Sequence, residues 1–140
     1  MFTQFTTPIA TEWIDYNEHL NDAAYAIIVS HANEAFLEHV DLSADYRTRT
    51  GRTMYTVDLH LAYKAEVHQS QTLSARTGVH VLGPKKVGLT TELIRPDGVV
   101  AATAEVLYLH YDQTTQTVVP FADEQTARLA TWALPTPSGA

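Results

Sequence analysis

At 140 residues, 45% hydrophobic and 18% charged, the chain has the size and composition of one globular domain (1–140) with a single core, which excludes a disordered chain. A formal charge of -7 argues against a general nucleic-acid binder, whose partner demands a basic face. With no cysteine, disulfides and thiolate chemistry drop out; no apolar run approaches the about 18 residues of a membrane span, and Met1–Phe5 shows no signal peptide, so a cytoplasmic protein is expected.

Residues 3–10, rich in threonine and phenylalanine, read as a short strand with Pro8 near its end. The stretch from Trp13 to Tyr25 then gathers aromatics, carboxylates, asparagines and a histidine before the longest helical pattern in the chain. From Asn21 to Val40, Tyr25, Ile28, Val29, Ala32, Phe36 and Val40 recur at helical spacing, with His31, Glu34 and Glu38 on a wetter stripe. Asn21 or Asp22 can cap this helix, each offering a short acceptor to a first-turn N–H.

Residues 41–52 read as a loop or short helix ending at Gly51. From Tyr55 to Val67 the period changes to two. Odd positions (Tyr55, Val57, Leu59, Leu61, Tyr63) are apolar or aromatic and are expected to face the core; even positions carry Asp58, His60 and Lys64. Strands follow at 72–82, 86–95 and 99–111, joined by a Gly83-Pro84 turn and a Pro96-Asp97-Gly98 hairpin turn. Residues 122–132 read as a short terminal helix and 135–140 as a frayed tail. A strand, one long helix and four strands in tight succession define an α+β fold, with an antiparallel sheet wrapped around the helix. The exposed edges of such a sheet favour pairing with a second copy.

The junction Asp15-Tyr16-Asn17-Glu18-His19-Leu20-Asn21-Asp22-Ala23-Ala24-Tyr25 resembles the Asp-x-x-Gly-His-Val-Asn-Asn-x-x-Tyr signature of hotdog-fold acyl-CoA thioesterases of the 4-hydroxybenzoyl-CoA thioesterase-like branch. The resemblance implies a hotdog fold (a five-stranded antiparallel sheet around one long helix, with a short C-terminal helix) and hydrolysis of an acyl-CoA thioester at a homodimer or homotetramer interface. CoA is then part of the substrate, and no cofactor or metal is implied. Asp15 takes the place of the catalytic carboxylate, as nucleophile or as general base on water, with His19 and Asn21 beside it. Backbone N–H groups from Asn21 to Ala23 would polarise the carbonyl. Beyond the aliphatic exchange at Leu20, two departures from the signature matter: Glu18 stands in place of glycine, and Asp22 in place of a second asparagine.

The form Trp-Ile-Asp-Tyr-Asn-x-His-Leu-Asn-Asp-Ala-Ala-Tyr is closer still to betainyl-CoA thioesterases of carnitine degradation. A trimethylammonium acyl group favours aromatic faces and carboxylates, and the chain offers Trp13, Tyr16, Tyr25, Tyr55 and Tyr63 with Glu18 and Asp22. Tyr55 and Tyr63 fall on the strand face expected to form the core, so substrate binding is assigned to Trp13, Tyr16, Asn17, Asp22 and Tyr25. Lys85 and Lys86 are candidates for the CoA phosphates. Asp15 lies six residues ahead of Asn21, too early to cap the helix, which favours chemistry over a turn or capping role. The seven histidines show no His-x-x-x-His spacing, so no metal site is expected; His60, His80 and His110 are assigned to packing between subunits or to solvent. Alternatives on the same fold are an enoyl-CoA hydratase or dehydratase and a non-catalytic acyl-CoA-binding protein.

Overall fold

The computed structural model describes residues 1–135, so residues 136–140 of the expected tail lie outside the described residues. Its centre is α1 (Asp22–His39), which buries Tyr25, Ile28, Val29, Ala32 and Phe36 at the expected spacing. Around it, β1 (Phe2–Pro8), β2 (Arg52–Tyr63), β3 (Thr72–Leu82), β4 (Lys86–Ile94) and β5 (Val100–Asp112) form one antiparallel sheet in the order β1-β3-β4-β5-β2. Leu73, Leu89 and Leu93, all fully buried, share a single core cluster with Ile28 and Phe36. The short helices α2 (Ala44–Thr50) and α3 (Asp123–Ala130) complete the α+β fold expected above. A two-residue strand β6 (Thr117–Val118) beside the end of β5 and a 3-10 turn (Thr11–Trp13) are too short to leave a periodic signal in the sequence.

One polar chain crosses this core. Asn33 is fully buried on α1; its amide donates to the Tyr108 hydroxyl (3.0 Å) and accepts from Thr91, which in turn meets Thr77 at 3.2 Å. The chain links the helix to β3, β4 and β5, and every buried side-chain polar atom among the described residues has a partner. His110 corrects an expectation. It is neither exposed nor a surface contact but fully buried, stacked on Phe121 and bonded to the Tyr46 hydroxyl at 2.9 Å. Burial holds its pKa below the ordinary histidine value, so it stays neutral. His60 and His80 do lie exposed, beside Asp58 and Thr90 respectively.

Strand β2 also departs from the expected pattern. It pairs with β5 on one side only, and a bulge displaces its register between Thr56 and Asp58. Before the bulge Met54 and Thr56 sit opposite the buried His110 and Tyr108; after it Leu59, Leu61 and Tyr63 sit opposite the buried Val106, Ala104 and Ala102. Cross-strand partners share a face, so the helix-facing side belongs to even positions first and to odd positions later. Tyr55 and Val57 are therefore turned outward, contrary to the uninterrupted alternation read from the sequence. Tyr55, Val57, Leu59 and Tyr63 remain exposed, by 41%, 52%, 43% and 54%, leaving an apolar edge uncovered in the single chain.

Candidate active site

The loop ahead of α1 closes on itself. Ile14 bridges Leu20, the Asp15 N–H donates to the His19 carbonyl (2.9 Å), and the Glu18 N–H returns to the Asp15 carbonyl (3.0 Å). This is the bonding pattern of a three-residue hairpin loop, in which the residue after the turn adopts a left-handed conformation. Glu18 occupies that position, with φ of 63°. The glycine of the family signature thus has a backbone reason, and Glu18 carries a steric cost in its place. Glu18→Gly is expected to relieve about 1–2 kcal/mol of left-handed strain and to lose about 0.5–1 kcal/mol to chain entropy, for a net stabilisation of about 0.5–1 kcal/mol. Urea denaturation measures it, and a destabilised variant would show that Glu18 contributes contacts that outweigh its strain.

Asp15 begins this turn, where its Oδ1 accepts the Asn17 N–H at 2.9 Å and the His19 N–H at 3.4 Å. The turn role set aside in the sequence reading is therefore real, but it uses one oxygen. Oδ2 accepts no hydrogen bond among the described residues, and Asp15 faces a cleft. The ring of His19 turns to Glu66, with Nε2 3.0 Å from its carboxylate, so Asp15 and His19 form no side-chain dyad.

Asn21 caps α1, its side chain accepting the Ala23 N–H at 2.9 Å, while its own N–H donates to the Trp13 carbonyl at 2.7 Å. Asp22 also accepts from Ala23 (2.8 Å). Among the N–H groups expected to polarise a carbonyl, those of Asn21 and Ala23 are thus occupied, and only that of Asp22 has no acceptor among the described residues. The Leu20 N–H donates to the Val67 carbonyl (2.8 Å), clamping the loop to the chain beyond β2.

Between loop and strand end lies an open cleft of about 900 Å³ lined by Asp15, Tyr16, Asn17, His19, Asn21, Asp22 and Tyr25 together with Tyr63, Lys64 and Glu66. Three carboxylates thus face one ammonium group. Tyr25 is buried and donates to the Ala65 carbonyl (3.2 Å); burial first, and then its neighbours Tyr63 and Glu66, push its pKa up, so it remains a donor. Tyr63 meets Tyr25 edge to face at 5.0 Å between ring centres, and its hydroxyl donates to the Asp22 carbonyl at 3.0 Å. Tyr16, 94% exposed, stands at the mouth.

Two assignments of the sequence reading fall outside this cleft. Trp13 does not line it; its half-buried ring lies near His31, at 6.4 Å, and its carbonyl serves the loop. Lys85 and Lys86 sit at the β3–β4 turn, beside the Leu109 end of β5, whereas the cleft is built at the Ala101–Ala102 end. The nine residues from Lys86 to Ile94, eight steps along the strand, separate the two by about 26 Å at strand rise. Conversely, Glu66 was missed as a residue of the cleft, and Tyr63, though one of the aromatics available to a cation, was left to the core. The uninterrupted alternation assigned Tyr63 to the core, and nothing local marks the end of β2 as neighbour to Asp15.

This geometry agrees with what the chain is similar to. Residues 9–129 match the thioesterase-like superfamily. A betainyl-CoA thioesterase of Pseudomonas aeruginosa is 32% identical over 145 aligned positions, covering 99% of this chain and 91% of that protein. An L-carnitine dehydrogenase/betainyl-CoA thioesterase of Agrobacterium fabrum is 35% identical over 71% of this chain, which spans 20% of that longer protein. Among solved structures, a Staphylococcus aureus protein in complex with CoA superposes with a TM-score of 0.88 at 26% identity, covering 100% of this chain and 92% of that one. A thioesterase-superfamily structure from Jannaschia, 14% identical with a TM-score of 0.88 over 96% and 94% of the two chains, has the same fold. The chain belongs to the thioesterase-like superfamily. It is a thioester hydrolase.

Proposed function

We propose that the chain hydrolyses betainyl-CoA to betaine and CoA, with Asp15 as the catalytic carboxylate. The observation that carries the acyl assignment is the wall of the cleft. Asp15, Asp22 and Glu66 line it together with the edge-to-face Tyr25–Tyr63 pair, of which Tyr63 is the exposed ring, and Lys64 is the single lysine or arginine among the lining residues. A quaternary ammonium cannot donate a hydrogen bond, so aromatic faces and negative charge are what recognise it. The names of the Pseudomonas and Agrobacterium relatives point to the same substrate. Asp22 and Glu66 supply the negative charge; Glu18 does not line the cleft.

In this reading Asp15 Oδ2 either takes a proton from the attacking water or attacks the carbonyl carbon itself. The carbonyl oxygen gains charge near the Asp22 N–H, the C–S bond breaks, and CoA leaves as thiolate; where Asp15 itself attacks, water then hydrolyses the mixed anhydride left on Asp15, releasing betaine and restoring the carboxylate. His19, Asn21, Tyr16 and Asn17 shape the mouth, with Asn21 and His19 holding the loop. We further propose that the uncovered edge of β2 pairs with the same edge of a second copy. An antiparallel pairing of these edges brings the β3–β4 turn of one copy to the end of the joined sheet that holds the other's cleft. Lys85 and Lys86 would then serve the CoA phosphates across subunits. A cytoplasmic location fits the cysteine-free composition and an acyl-CoA substrate; no described helix is long and apolar enough to cross a membrane.

The discriminating substrate is 3,3-dimethylbutanoyl-CoA, the uncharged carbon isostere of betainyl-CoA. The wild type is expected to favour betainyl-CoA in kcat/KM by about tenfold or more, the scale of a desolvated cation–π contact joined by a carboxylate. Tyr63→Leu and Asp22→Asn should each cut that preference. Equal or greater efficiency on the neutral isostere would refute the betaine assignment while leaving thioester hydrolysis intact.

A further inference from the structure

Beyond β2 the chain passes Glu66, Val67 and His68. Val67 is fully buried and its two neighbours are exposed, so Glu66 and His68 leave the same outer side of the chain. Their backbone is held from two directions: Leu20 donates to the Val67 carbonyl at 2.8 Å, and Arg95 donates to the Glu66 carbonyl at 3.0 Å. The first of these bonds delivers His19. Its Nε2 stands 3.0 Å from the Glu66 carboxylate, and its ring centre 4.9 Å from that of His68. One ligating atom from each of the three residues lies within 4.8 Å of the other two.

We propose that His19, Glu66 and His68 form a binding site for a borderline divalent cation, with Zn²⁺ as the type, at the rim of the cleft. Two imidazoles and a carboxylate are a zinc donor set, whereas Mg²⁺ and Ca²⁺ prefer oxygen alone. With metal–ligand bonds of about 2.0–2.2 Å, tetrahedral donors stand about 3.4 Å apart, so no pair here needs to close by more than about 1.4 Å. Rotation of the exposed Glu66 and His68 side chains supplies that movement without disturbing the clamped backbone. Asp15 and Asp22, on the same cleft, add the negative potential that draws a cation to it. The fourth position is left to water. No residue spacing announces the site, because Glu66 and His68 come from one segment and His19 from a loop 47 positions earlier than Glu66 in the chain.

Occupancy would take His19 from its pairing with Glu66 and place a dication at the mouth that the acyl-CoA must pass. Zinc is therefore an inhibitor of hydrolysis; this consequence, unlike the binding itself, rests on the proposed role of the cleft. The test titrates the metal-stripped full chain with Zn²⁺ against a chromophoric indicator and repeats it on His68→Ala and, as a control on the other exposed histidine–carboxylate pair, His60→Ala. One Zn²⁺ per chain is expected. His68→Ala should bind it at least about tenfold more weakly, since even outer-shell losses cost 10–100-fold, while His60→Ala is unchanged. Metal-free kcat/KM of His68→Ala should match the wild type, and its zinc inhibition curve should shift by the same factor as its affinity. Absence of stoichiometric binding, or binding indifferent to His68→Ala, overturns the site. Binding that obeys this pattern without inhibiting hydrolysis upholds the site and counts against the reading of the cleft as the substrate's entrance.

Discussion

Asp15→Asn is expected to lower thioester hydrolysis by about 10²–10⁴-fold, the range attached to a positioned general base. The substitution separates the two things Asp15 does. An asparagine Oδ1 can still accept the Asn17 and His19 N–H groups, so the turn that starts the loop keeps its hydrogen bonds. What disappears is the charge on the other oxygen, the one that no described residue engages. Melting temperature should therefore move little while release of free thiol collapses. Asp15→Ala removes both functions and should lose stability as well. Hydrolysis of betainyl-CoA by Asp15→Asn at near wild-type rate would show that the carboxylate only holds the loop. For the role of the active oxygen, trapping of an acyl-enzyme anhydride in a single turnover would favour the nucleophile and its consistent absence the base.

The second large effect concerns the edge of β2. A twelve-residue strand with one side unpaired and apolar side chains exposed along it is a hazard that folded proteins ordinarily cover. The double variant Val57→Glu with Leu59→Glu removes two apolar side chains per chain and four from a symmetric interface. At about 1 kcal/mol for each half-exposed side chain this weakens association by about 4 kcal/mol, a factor of about 10³, before any repulsion between the new carboxylates. Sedimentation should show a wild-type dimer and a monomeric variant with little hydrolytic activity, since the CoA phosphates would lose the lysines of the second subunit. A wild type that sediments as a monomer and turns over at full rate would remove the interface from the mechanism.

The parts legible in the sequence were those governed by short-range periodicity or turn chemistry. The helical spacing of Tyr25, Ile28, Ala32 and Phe36 located α1 to within two residues, and Pro96-Asp97-Gly98 marked a hairpin whose glycine has φ of 85°. The grouping of Asp15, Tyr16, Asn17, His19, Asn21, Asp22 and Tyr25 around one cleft was legible because loop and capping residues lie close in sequence. Tyr63, Glu66 and His68 were not, because their proximity to the loop depends on one long-range hydrogen bond, Leu20 to Val67. Asn33 was hidden for a related reason: its partners Thr91 and Tyr108 arrive from strands far along the chain. The turn duty of Asp15 leaves no mark at the helix start, because the turn it serves is its own, through the Asn17 and His19 N–H groups.

The bulge at Val57 works as a phase inverter. Side chains on the two halves of β2 are half a cycle out of step, so the parity that hides Met54 under the sheet displays Asp58 and His60 to the outside, and the parity that displays Tyr55 sends Tyr63 inward to Tyr25. An uninterrupted strand of the same composition would put the two tyrosines on one side. The wall of the cleft thus depends on a count, one surplus residue in a strand, as much as on which amino acid stands at position 63.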